Sequence, residues 1–266
     1  MWPDTLAHQG LGLRGRMPHD GLRVLAVASH ADAAMELELL WQLCASLQHQ
    51  GWPVAVLDAT ARESANAPGL AQLLTPSPWP VEDALQASAE ATQALTVLPA
   101  AHAMQRLAQD AQHDAEAALA RLQPLFRSYA AVMLYAPEQW LAPLLAGSGA
   151  RPLVITGPGT RGLVRSFLQI KHLALHGVRC SVAAILPPGS GPRRTQTTQA
   201  LDALRQSAAR LLGLDVHTTL IDAARAQEID RLALQLLENA CTIGHAAAWA
   251  TIGPHHALPL SLDRSH

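Results

Sequence analysis

The residue types best suited to chemistry stand where apolar runs end. Ser29 and Asp32 follow the run Leu22–Ala28, Glu36 lies just beyond, and Asp58 closes the run Val54–Leu57. A carboxylate at such a strand end can hold a metal ion, whereas Asp32 and Glu36 together would repel a polyphosphate. Cys241, His245, His255 and His256 are close in sequence, but zinc sites usually show tighter pairs such as CxxC with HxxxH. A Cys near a helix end and histidines in a Pro-rich tail read instead as packing and solvated residues, so no metal site is assigned. Ser, His and Asp all occur, yet no GxSxG elbow does, and hydrolase chemistry has no foothold. Arg193-Arg194, in a Gly/Pro loop, reads as a solvated turn.

These groups must be positioned by the elements between them. Leu22–Ala28 is apolar except at Arg23, close to what a strand buried on both faces would be. Leu39, Leu40, Leu43, Cys44 and Leu47 then follow helical spacing up to Gly51, and Val54–Leu57 is a second buried strand. The rhythm continues with strands at Leu95–Leu98, Ala130–Leu134, Leu153–Thr156, Val178–Leu186 and Val216–Ile221. Helices are expected over Asp110–Leu125, Leu163–His176, Thr198–Leu212 and Glu228–Ala240. Apolar strands alternating with helices predict an α/β domain, a parallel sheet with helices on both faces. In such sheets ligands bind at the carboxyl ends of the strands, so residues 29–37, 58–64, 135–140 and 156–162 line the functional edge. The expected organisation is an arm over 1–20, one domain over 21–243 and an irregular tail over 244–266.

Composition narrows the partners. The chain has 266 residues, 49% of them hydrophobic and only 15% charged, which suits packed helices and one large core. A net charge of -2 gives no broad attraction to nucleic acid or acidic membrane. The cysteines Cys44, Cys180 and Cys241 form no CxxC pair and read as buried apolar side chains in a reducing compartment. With no basic start and apolar h-region, the N-terminus is not a signal peptide. The expected location is cytoplasmic.

The stretch Val24–Asp58 resembles the MinD/ParA-like P-loop ATPases. That family has a strand, a deviant phosphate loop of the form SGKGGVGKT, a helix, a Gly and a strand ending in Asp. Ser29 to Gly51 matches the Ser-to-Gly interval without a gap, and Asp58 falls where the strand-end Asp falls. The resemblance recurs in order along the chain. "PGLAQLL", "VEDALQ" and "LTVLPA" follow the family's sequence of segments, and "YAAVMLYAP" resembles its YDVVLVDAP. "LVITGPGTRGLVRSFLQIK" resembles LVVTTPEPTSLTDAYALIK, and "LLGLDVHTTLID" resembles the penultimate-strand segment. The implied fold is that of a MinD-like P-loop NTPase.

The departures from the family fall on its chemistry. A phosphate loop uses glycine N–H groups, a Lys for the β/γ-phosphates and a hydroxyl for Mg²⁺. Here the loop runs Ser29, His30, Ala31, Asp32, Ala33, Ala34, Met35, Glu36, Leu37. The family's signature Lys is Ala31, its phosphate-binding Lys is Glu36, its Mg²⁺ hydroxyl is Leu37, and the loop glycines are gone. The DAP Asp is Tyr135, and the carboxylate two residues beyond Asp58 is Thr60. Ser29, His30, Ala31, Asp32, Glu36, Leu37, Asp58 and Tyr135 thus read as a vestigial nucleotide site with no catalytic residue and no cofactor. The family's basic amphipathic tail helix is also replaced by a proline-containing "GPHHALPLSLDRSH", which argues against direct membrane cycling.

The arm narrows the resemblance. "HQGLGLRGRM" at His8–Met17 resembles the DQAxGLRRL arm of the flagellar-number regulators of the FlhG (FleN) group, with His8 and Gly10 as departures. In that group the arm engages and stimulates the signal-recognition-type GTPase FlhF, which implies partner contact through Gln9, Gly12, Leu13 and Arg14. The expectation is a pseudo-ATPase that regulates flagellar number or placement by protein contact and reaches a cell pole through its partner. Family dimers close around two ATP molecules, so a homodimer here would lack that link. Two alternatives stand beside it. One is a divergent ATPase binding ATP and Mg²⁺ in a changed mode, with Asp58 on the metal. The other is a MinD-like accessory scaffold of another polar or secretion machine.

Overall fold

A computed structural model of the chain describes residues 21–29, 33–75, 95–157, 159–186 and 191–244. The arm, His30, Ala31, Asp32 and the tail from His245 onward lie outside the described residues. The elements run β1 (Leu22–Ala28), α1 (Ala33–His49), β2 (Val54–Asp58), α2 (Leu70–Leu74), β3 (Thr96–Pro99), α3 (Ala101–Asp110), α4 (Ala115–Ala120) and β4 (Ala131–Ala136). They continue with α5 (Glu138–Leu145), β5 (Leu153–Thr156), α6 (Gly159–Leu175), β6 (Ser181–Leu186), α7 (Gly191–Leu212), β7 (His217–Asp222), α8 (Ala226–Glu238) and β8 (Cys241–Ile243).

The expected α/β architecture is present. β1 to β7 pair in parallel in the order β3-β2-β4-β1-β5-β6-β7. β1 sits at the centre because, from Val24 onward, its side chains are apolar on both faces. Val24, Ala26 and Ala28 enter one core cluster, Leu25 and Val27 the other. The first cluster is covered by α2 to α7, the second by α1 and α8. A hydrogen bond from Ser46 Oγ to Asp230 (2.5 Å) ties α1 to α8. All three cysteines are free and buried, as their spacing implies. Burial pushes the Cys44 and Cys180 thiols up to about 12, so they serve as packing groups rather than nucleophiles. No helix among the described residues is long and apolar enough to cross a membrane.

Four expectations are corrected. β8 runs antiparallel, pairing Leu22–Val24 with Cys241–Ile243, so the sheet is not wholly parallel. Of the helix expected over Asp110–Leu125 only α4 forms; α3, which was not expected, ends at Asp110, and a turn separates the two. Asp114 accepts the Ala117 N–H (2.9 Å) and thereby starts a new helix instead of continuing the old one. α7 begins at Gly191, which turns the expected Arg193-Arg194 loop into exposed helix. β6 starts at Ser181 rather than Val178. The short helices α2 and α5 were not expected.

Candidate functional site

β1, β2 and β4 deliver their carboxyl ends to one edge, and backbone bonds fix the height of each end. Ser29 N–H donates to Ala136 O (2.9 Å), and Ala59 N–H donates to Tyr135 O (2.8 Å). Strand register then sets Tyr135 beside both Asp58 and Val27. Ser29, Asp58 and Tyr135, three of the sequence-assigned residues, are neighbours for this reason. α1 supplies the fourth. Glu36, in its first turn, is buried and accepts a hydrogen bond from the Tyr135 hydroxyl (2.9 Å).

Tyr135 is wholly buried. Its hydroxyl is held far above the usual phenol range, first by burial and then by the charge and hydrogen bond of Glu36, with Asp58 adding to both. At neutral pH it is therefore a fixed donor that cannot act as a base. Asp58 is half-buried at the strand end, and its Oδ1 accepts both the Thr60 N–H (2.8 Å) and the Thr60 hydroxyl (2.6 Å). Leu37 does not join the group; its side chain is exposed on α1. His30, Ala31 and Asp32 lie outside the described residues, as do the arm residues Gln9, Gly12, Leu13 and Arg14. Among the described residues no group of three or more His, Cys, Asp or Glu side chains could hold a metal ion. Arg161 and Arg165 are exposed on α6.

At this edge the described residues join a buried carboxylate to a buried phenol. Where the resemblance expects an ammonium group and a metal-side carboxylate, the chain has a buried carboxylate and a phenol satisfying one another. An anion brought to Glu36 would meet like charge at short range, and displacing Tyr135 would strip a buried carboxylate of a donor.

Two further groups were not singled out in the sequence. Gln169, buried on α6, donates from Nε2 to Ser29 O (3.1 Å) and to Glu138 (3.3 Å), joining α6 to the start of the β1–α1 connection. Gln169 Oε1 and the neighbouring Ser166 Oγ are buried without partners among the described residues. The signal for both was available: they fall on the same helical face as Ile170 and Leu173, which are buried.

The second group is Glu63. Its side chain is 1% exposed and caps α3, accepting the N–H groups of His102 (2.8 Å) and Ala103 (3.0 Å). The His102 ring nitrogen lies 3.1 Å from the same carboxylate. This anchors the 59–69 connection against the helix. Gly69 is needed for the same close approach, because a Cβ there would stand 2.0 Å from Pro99 O. Burial alone would raise the Glu63 carboxyl, but the backbone N–H groups of His102, Ala103 and Glu63 itself, with the charge interaction of His102, outweigh it and hold the group below its ordinary 4.5. A depressed folded value stabilises the fold above pH 4.5, and that contribution is lost as pH falls through 4.5 toward the folded value. Glu63→Gln is expected to cost about 1 kcal/mol at neutral pH and to flatten the acid limb of stability against pH. Urea midpoints across pH 3–7 measure this; identical acid limbs for the two proteins would refute the capping role.

No family model matches the chain, and no curated protein does. Among solved structures the chain is similar to a partition protein at 15% identity, covering 84% of this chain and 69% of that one with a TM-score of 0.39. It is also similar to a protein of Corynebacterium diphtheriae at 11% identity, covering 82% and 98% with a TM-score of 0.43.

Proposed function

We propose that this chain is a non-catalytic protein of the MinD/ParA type that acts by protein contact, as a regulator of flagellar number or placement through an FlhF-type GTPase. The observation that carries the non-catalytic part is the buried hydrogen bond between Tyr135 and Glu36. These are two positions where the resembled family handles Mg²⁺ and phosphate, and here they are joined to each other. The resembling segments also fall on consecutive parts of one framework: β1 to β2, then β4, β5 with α6, and β7. The FlhG-like part rests on the arm at His8–Met17.

The pseudo-ATPase reading is tested by calorimetry with Mg-ATP on the purified full-length chain. The expected result is no heat of binding and no turnover. A micromolar dissociation constant, with turnover abolished by Asp58→Ala, would establish the divergent ATPase instead.

A further inference from the structure

β7 closes the sheet order, pairing with β6 along 217–222, and no strand among the described residues pairs with its other side. Interior β6 is buried at every position, whereas β7 is buried only at Ile221. An edge strand carries a row of unpaired N–H and C=O groups that can template another strand. Alongside it lies a groove of about 1370 Å³ whose walls come from both helical layers, α7 and α8.

The charge of this groove runs against that of the chain. Arg151, Arg179, Arg205 and Arg231 line it, opposed by Asp215 and Glu238, although the whole protein has a net charge of -2. All four arginines are exposed. Arg205 meets Asp202 at 3.6 Å, while Arg151, Arg179 and Arg231 form no ion pair among the described residues. Exposed Leu234 offers apolar surface in the same wall.

The geometry points to a docking site for an extended, acidic segment of a partner protein, which adds as a strand to the free edge of β7 while its carboxylates meet the arginines. Backbone pairing supplies affinity without sequence, and the flanking guanidinium groups select the charge. A second copy of this chain is the wrong occupant, because its own β7, with the sequence HTTLID, brings a single carboxylate, Asp222, to set against the arginines. The site is separate from the Tyr135 edge and independent of the arm.

The test is fluorescence anisotropy with the full-length chain and labelled peptides of about ten residues, a common strand length. One alternates Glu with Val or Thr, a second replaces alternate Val and Thr residues by Pro at the same charge, and a third carries Lys in place of Glu. A single-stranded oligonucleotide of matching charge is the fourth probe. The Glu peptide is expected to bind at least about tenfold more tightly than each of the others, because only it offers both N–H donors and negative charge. Arg179→Glu with Arg231→Glu should remove that preference while leaving the thermal midpoint near that of the parent. Equal binding of the Pro and Glu peptides, equal or tighter binding of the oligonucleotide, or no binding of the Glu peptide overturns the proposal. Light scattering adds a fifth arm, in which a dimer dissolved by the same double variant assigns the edge to self-association and also overturns it.

Discussion

Removal of residues 1–20 is expected to abolish stimulation of the flagellar GTPase while leaving the thermal unfolding midpoint nearly unchanged. Among the described residues the core clusters run from Leu22 on β1 through to β8. A short segment outside a core contributes to binding through a few anchor side chains. In the proposed reading Leu13 would supply the apolar anchor and Arg14 a charge-assisted hydrogen bond. Gly10 and Gly12 each weaken a helical arm by ~1 kcal/mol relative to Ala, so stimulation should be weaker than with an Ala-containing arm. Leu13→Ala with Arg14→Ala should reproduce the loss seen on deletion. The readout is the partner's GTP turnover with and without each protein. If the truncated chain stimulates as well as the full-length one, or if neither stimulates, the FlhG-like role of the arm is wrong and the fold alone survives.

The second large effect belongs to the Tyr135–Glu36 pair. Tyr135→Phe keeps the ring but takes a donor from a buried carboxylate, an expected loss of about 2 kcal/mol. Tyr135→Ala also opens a cavity between β4 and α1, and the loss should rise to about 4 kcal/mol. Urea midpoints at neutral pH measure both, and a Tyr135→Phe change within ~0.5 kcal/mol of zero would mean the bond contributes nothing. The pair also has a pH signature. Tyr135 is raised above its ordinary value of 10.0, so folding favours the protonated phenol. Its contribution is complete below pH 10 and is lost as pH rises beyond it. The chain has two tyrosines, so in a Tyr129→Phe background near-ultraviolet absorbance reads Tyr135 alone. Tyrosinate should emerge together with unfolding. Reversible ionisation near pH 10 in the folded protein would refute the buried pairing.

How much was legible in the sequence depended on how local each cause was. Leu22–Ala28 and Leu153–Thr156 match β1 and β5 end for end, because a strand buried on both faces leaves a nearly continuous apolar run, interrupted here only by Arg23 and closed by Thr156. β8 is three residues long, and it exists only because Leu22–Val24 lies beside it; no periodicity can be read in so short a segment. The α3–α4 break is a contest between continued helix and the Asp114 cap, and the alanines around it fit either outcome. At α7 the Gly-Pro pair suggested a loop, yet Pro is well tolerated in a helix's first turn, where no N–H is required. The candidate site divides in the same way. Asp58 and Tyr135 follow from strand ends, but the Glu36–Tyr135 bond joins residues 99 positions apart, and Glu63 reaches a helix 39 positions away. β7 was expected to be another buried strand; its place at the end of the sheet order is what exposes it.

The antiparallel contact of β8 with β1 has a consequence for assembly during synthesis. β1 leaves the ribosome before every other described strand, yet the amino-terminal half of one of its sides is completed only by Cys241–Ile243. Closure over so long a sequence separation is slow and comes late, so the central strand keeps an open flank until nearly the whole domain has emerged. Once closed, Gly21 and Gly244 stand side by side, a Cβ on Gly244 reaching 3.3 Å from Gly21 Cα. The first and last described residues therefore meet at one place in the fold, where a linker of a few residues could join the two glycines and permit circular permutation of residues 21–244.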